Sequence, residues 1–242
     1  MKLIAFAALV SLAARSAAAA SPPPTLHKTP NLAKNAEAYP TLVGATPAIA
    51  RINRALRAAN AKQSEDMMDC RRDAPQDGYW WEQSVDAPLI GAHFVSLLAQ
   101  GNLSCGGAHP NFIVEALVFD LNTGAQVDGR TLLPVQLRGK PGQAADIPIA
   151  SPALTALFID QSEKEGVDAS CKEAFAEQEM SFTFWPDAKS KGLAMRAANL
   201  LHWAEGPCSG PVTIPIETLK RIGFDALLIE DIETGRFQVA DP

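Results

Sequence analysis

The sequence predicts an α+β fold, a mainly antiparallel sheet with helices packed on it and two disulfides. Three observations lead there. Helical and strand texture follow one another in the order helix, strands, helices, strands, with no internal repeat. The strand runs are rich in β-branched and aromatic residues and are closed by turn residues. The cysteine count is even, four in all, which suits pairing in an oxidising compartment.

Residues 1–20 read as a secretory signal peptide. Lys2 supplies a positive start, Leu3 to Ala14 an apolar run too short to span a bilayer, and Ala18-Ala19-Ala20 a small-residue cleavage pattern. Residues 21–38 hold four prolines and few large apolar side chains, so an extended, poorly ordered leader is expected, with His27 solvated in it. A helix-plus-strand subdomain is expected over 39–95 and a second domain over 96–242.

Structure should begin near Tyr39. Thr46 is an N-cap and Pro47 suits the first helical position. Ile49, Ile52, Leu56 and Ala59 recur at helical spacing, which predicts a helix over about 47–63, with Arg51, Arg54 and Arg57 on its solvated side. From Tyr79 the texture becomes strand-like, through YWWEQSVDAPLIGAHFVSLLAQGN and FIVEALVFDLNTG. Of the pair Trp80-Trp81 only one can face a given side, because successive strand residues alternate. Ser151-Pro152 repeats the helix-start signal, with Leu154, Leu157 and Phe158 on one side and Gly166 as a stop. A short helix carries Cys171, Ala174 and Phe175. Strands follow at 181–185, 193–203 and 212–216, and ETLKRI closes as a helical turn.

Charge limits the function. Cleavage after residue 20 removes Lys2 and Arg15 and leaves 19 basic against 27 acidic residues, a net −8. No basic block survives, so nucleic-acid binding is not expected. An acidic surface favours a cationic partner through long-range steering, or merely keeps the protein soluble. No later segment is apolar and long enough to cross a membrane, so a periplasmic or secreted protein is expected.

The stretch SCGGAHPN, residues 104–111, gathers most of the groups able to do chemistry. Cys105 and His109, with His202 and Cys208, could form a Cys2His2 zinc set or the centre of a Cys/His-dependent envelope enzyme. Against this stands the even cysteine count, since the remaining two cysteines would be orphaned. Three disulfide connectivities are possible. Cys70–Cys105 with Cys171–Cys208 is favoured because each closes a loop within one half of the chain, stabilising the fold by roughly 3–4 kcal/mol apiece. There is no G-x-S-x-G elbow, and the acidic residues around Glu163, Glu165, Glu173, Glu177 and Glu179 read as solvated helix faces. His93 reads as a core histidine on an apolar strand. Adjacent Gly106 and Gly107 suit a tight strand-to-strand connection that Pro110 stiffens. On this reading the chain has no catalytic residue and no cofactor.

Strand, then GGAHPN, then a strand ending in FDLNTG, resembles the extracytoplasmic domain of RsiV-type anti-sigma factors, which also accompanies some peptidoglycan deacetylases. EGPCSGPVTIPIETL (205–219) is similar to that family's Gly-Pro turn, apolar strand and short helix, and YPTLVGATPAIARINRAL to its opening helix. The resemblance implies an α+β fold and a binding role, with lysozyme the partner of the best-known members. Gly106, Gly107, Ala108 and His109 match the family's turn residue by residue. Cys105 departs from it, and with its leader cleaved the chain would carry no transmembrane helix or sigma-binding segment. The expectation is therefore an exported, non-catalytic envelope protein that recognises a lysozyme-like protein or peptidoglycan. A structural accessory subunit of an envelope complex is the remaining alternative.

Overall fold

The computed structural model describes residues 23–74, 78–107, 109–139, 149–176, 178–200, 204 and 207–239. Among them are nine strands and six α-helices in an α+β arrangement, and every strand pairing is antiparallel. Both favoured disulfides are present, Cys70–Cys105 and Cys171–Cys208.

Strands β1 (Thr25–His27) and β2 (Thr41–Val43) form a two-stranded ribbon. Helix α1 runs Pro47–Asp73. Its start is the expected one, since Thr46 Oγ1 accepts from the Ile49 amide at 3.1 Å. The helix continues well past 63, because Met67 and Cys70 extend its buried stripe and the Cys70–Cys105 bond anchors its last turn.

The central sheet contains β3 (Tyr79–Ile90), β4 (Phe94–Cys105), β5 (Asn111–Asp120) and β9 (Arg236–Gln238) in the order β5-β4-β3-β9. The long strand-like run after Tyr79 is thus a hairpin, and the expected division at 95/96 falls inside β4, whose residues pair continuously with β5. Helix α1 covers one face of this sheet through Ile52, Leu56, Val85, Val95, Leu97 and Phe119. FDLNTG is the turn that seats the helix. The Asp120 carboxylate accepts from the amides of Asn122 and Thr123, and a Cβ on Gly124 (φ +69°) would lie 2.3 Å from the Ala48 carbonyl oxygen.

The leader expected to be poorly ordered is built into the fold from residue 23 onward. Two asparagines on α1 hold the segment that follows it: Asn53 exchanges hydrogen bonds with the Leu42 backbone and Asn60 with the Tyr39 backbone. Residues 35–37 lie along β3, with the Gln83 amide donating to Asn35 O and Glu37 N–H donating to Gln83 O. Prolines at 22–24 and 30 do not prevent this, since the pairing uses amides further along.

A second layer holds short helices α2 (Gly129–Leu132), α3 (Pro152–Lys164), α4 (Ala169–Ala176), α5 (Ile216–Ile222) and α6 (Ala226–Thr234) around β6 (Phe182–Asp187), β7 (Gly192–Ala197) and β8 (Val212–Pro215). Ser151 caps α3 as its Ser-Pro signal predicts, and Gly166 follows it at φ +76°. The core of this layer is Phe158, Phe175, Phe182, Met195, Leu219 and Leu228 with the buried Cys171–Cys208 bond. Leu98 of the central sheet packs with Trp185 and Ala194, so the second layer covers part of the sheet face opposite α1. Among the described residues no helix is long and apolar enough to cross a membrane.

Candidate functional site

The second layer covers only part of that face. The other part is set by strand alternation and register. On β3, Trp80, Glu82 and Ser84 point the same way and are exposed, while Gln83 and Val85 point inward and are buried. Register places Asn102 of β4 beside Glu82, and Gln100 beside Ser84. Phe112 and Val114 of β5 follow beside Asn102 and Gln100. The result is an open face whose polar residues continue from exposed Trp80 past the level of exposed Phe112.

This face is hollowed into a trough. Two hollows of about 500 and 360 Å³ share Ser84, Gln100, Gly101 and Asn102. A third, of about 220 Å³, shares Phe112, Val114, Arg196 and Ser209 with the second. One wall is the leader, through Asn31, Lys34 and Asn35. The opposite end is Arg196 of β7, whose guanidinium stands 5.1 Å over the Phe112 ring while its Nε donates to Ser209 O at 2.6 Å. Arg196 thereby fixes one face of the Phe112 ring and leaves the other outward. Phe112 is 43% exposed and Trp80 39%.

The floor is quiet chemically. Gln100 Nε2 donates to Asp86 at 3.3 Å, and Ser84 Oγ to Gln100 O at 3.4 Å. The side-chain amides of Asn31, Asn35, Asn102 and Asn111 make no hydrogen bond among the described residues, so their donors and acceptors are presented outward. Amides and hydroxyls hold a ligand; they do not supply a nucleophile or base at neutral pH.

Behind the floor lies a polar network with a structural role. Tyr39 Oη donates to Glu115 Oε2 at 3.1 Å, Gln63 Nε2 to the same oxygen at 3.0 Å, and Gln83 Nε2 to Gln63 Oε1 at 3.0 Å. Burial first, and then the Glu115 charge, raise the Tyr39 phenol well above its ordinary value of 10.0.

The GGAH turn connects β4 to β5 and stands at the end of the strands that carry this face. Gly106 has φ +85°, the left-handed conformation that favours glycine, and a Cβ on Gly107 would meet little. His109 is exposed, and Ala108 lies outside the described residues. The Cys2His2 set of Cys105, His109, His202 and Cys208 loses its two cysteines to the disulfides. Cys105 is bonded to Cys70 and Cys208 to Cys171, so neither can offer a thiolate, and His202 lies outside the described residues. His93 sits not within a strand but in the turn between β3 and β4, half-buried. Arg51, Arg54 and Arg57 are exposed on the far side, with Arg51 donating to Thr123 O. Glu163 pairs with Lys172, and Glu165 accepts from the Thr213 amide, as expected of solvated helix faces.

Fold and site together define an α+β, doubly disulfide-bonded chain with a half-covered central sheet. No family model and no curated protein matches the chain. Among solved structures it is similar to the crystal structure of a member of the DUF3298 family from Bacteroides fragilis, at 15% identity and a TM-score of 0.45, over 79% of this chain and 75% of that one. At that distance the likeness assigns no site residue.

Proposed function

We propose that the chain is an exported, non-catalytic binding protein of the cell envelope, which engages peptidoglycan through the open face of the β3–β4–β5 sheet. The observation that carries this reading is the trough, a long hollow with amides and hydroxyls on its floor, the exposed Phe112 ring in its lining, and exposed Trp80 two residues beyond Glu82 on the same strand face. Such a surface is built to hold an extended partner. Export is supported by the two disulfides, which persist in oxidising compartments, and by the leader pattern in residues 1–20. The GGAH turn and its resemblance to the RsiV-type domain support the envelope assignment.

A second reading, recognition of a cationic muramidase, is favoured by the net charge of −6 over the whole chain. Both are tested with the protein without residues 1–20, by co-sedimentation with purified peptidoglycan sacculi and by retention on immobilised lysozyme at low salt. Retention by sacculi supports the first reading, and salt-sensitive retention by lysozyme the second. If neither retains the protein and lysozyme activity is unchanged in its presence, the proposal fails.

A further inference from the structure

We infer that the trough takes a neutral glycan strand, a run of N-acetylated sugars, with one ring stacked on Phe112 in its lining, another on Trp80 just outside it, and their hydroxyl and acetamide groups paired with the floor. This deepens the binding role proposed above and rests on it.

The argument is one of complementarity. A pyranose ring presents C–H groups on its faces and hydroxyls around its edge. The first need an exposed aromatic plane, whose negative face attracts the C–H groups. The second need groups that both donate and accept, which among neutral side chains means carboxamides and hydroxyls. The open face provides both in the required order. By register, Phe112 is two strands away from β3 and level with Glu82, so Trp80 is offset from it by two residues and two strands. At standard strand spacing and rise that separation is about 12 Å, a span of a few linked sugar rings. Asn102, Gln100 and Ser84 floor the trough beside and beyond Phe112, and Asn31 and Asn35 form the wall beyond them.

Charge separates this occupant from a protein. The chain as a whole is acidic, yet the two larger hollows together carry two carboxylates, Glu37 and Glu82, against two cations, Lys34 and Arg196, among amides. A cationic protein would be drawn to acidic surface elsewhere rather than to this near-neutral strip. A second copy of the chain would need either an apolar patch or unpaired strand edges, and the floor, lying across the middle of the sheet, is neither. Arg196 holds the Phe112 ring in place before any ligand arrives, which lowers the ordering cost of stacking.

The test uses the protein without residues 1–20, soluble N-acetylglucosamine oligomers and intact sacculi, with binding followed by calorimetry and co-sedimentation. Oligomers are expected to bind with little salt dependence and to displace the protein from sacculi. Trp80→Ala and Phe112→Ala should each weaken oligomer binding by about tenfold or more. Neither ring belongs to a buried core cluster, so the variants should fold, and their unfolding midpoints are measured alongside binding. Asn102→Arg, which fills the floor, should abolish binding, whereas Arg57→Ala on the helix face should leave it unchanged. If sacculi retain the protein but oligomers do not compete and the trough variants bind like the parent, the glycan inference is overturned while the envelope role stands. If the trough variants instead lose lysozyme binding and oligomers have no effect, the trough is a protein interface and the inference is again overturned. Loss of both sacculus and lysozyme binding in the parent removes the proposed function with it.

Discussion

Asp231 offers the sharpest test of how the two layers hold together. It lies on α6, is 0% exposed, and its carboxylate accepts three backbone amides from the turn between β3 and β4. The distances are 2.9 Å from Ala92 N, 2.8 Å from His93 N and 2.6 Å from Phe94 N. A Cβ on Gly91 would come within 2.3 Å of this carboxylate, so glycine is what lets the turn close around it. A hydrogen bond to a charged group is worth about 1.5–3 kcal/mol. The three bonds share one acceptor group and will not add fully. Asp231→Ala should therefore cost about 3–5 kcal/mol, chiefly because three amides lose their acceptor. Against a typical net stability of about 5–15 kcal/mol that loss is large. Asp231→Asn should recover only a minor share, because its NH2 group would face an amide that also donates. Equilibrium urea unfolding measures the loss as a fall in midpoint at unchanged m-value. A loss below about 1 kcal/mol in the alanine variant would refute the claim that this carboxylate joins the layers.

Replacing either cysteine pair by alanine should cost about 4 kcal/mol, since the bonded residues are 35 and 37 positions apart and the chain-entropy model scales with loop length; peptide mapping without reductant checks the pairing and urea unfolding the cost. Alkali should destabilise the protein through Tyr39. Because its folded pKa is raised, the folded state holds the phenol proton longer than the unfolded chain, so this contribution is whole below pH about 10 and is lost as pH rises through the folded value. In a Tyr79→Phe background, phenolate absorbance isolates Tyr39 and should rise only with unfolding, whereas titration at the ordinary tyrosine pH in the folded protein would contradict the burial argument. Gly101→Ala should disrupt the β3–β4 pairing, because its Cβ would fall 1.9 Å from the Glu82 carbonyl oxygen; a loss of about 1–3 kcal/mol is expected from thermal unfolding, and an unshifted midpoint would speak against so close an approach.

The features legible in the sequence are those whose cause is local. Thr46-Pro47 and Ser151-Pro152 each announce a helix start because capping involves a side chain and an amide three residues on, and both caps form. The disulfide pairing followed from loop economy alone. The order of residues 23–38 is not legible locally because their partners are remote: nothing near residue 36 tells that Gln83 will lie alongside. Helix α6 and β9 were likewise unread, since α6 is fixed by Asp231 reaching back to residues 92–94.

The candidate site shows the same division. The alternation of Trp80, Glu82 and Ser84 already marks a strand face left to solvent, and GGAH marks the turn at its end. What the alternation does not contain is the register that sets Asn102 between Glu82 and Phe112, or the half-coverage of the sheet by the second layer. A fully covered sheet would have selected apolar residues at Ser84, Gln100 and Asn102, because buried amides without partners are costly. Their polarity is thus a consequence of the uncovered face. The two aromatic rings are not explained that way: each buries more than half of its surface, yet each leaves an uncovered part on this polar face. Trp80 and Phe112 are the residues on this face whose presence points beyond the fold, and the ring-removal experiment is aimed at them for that reason.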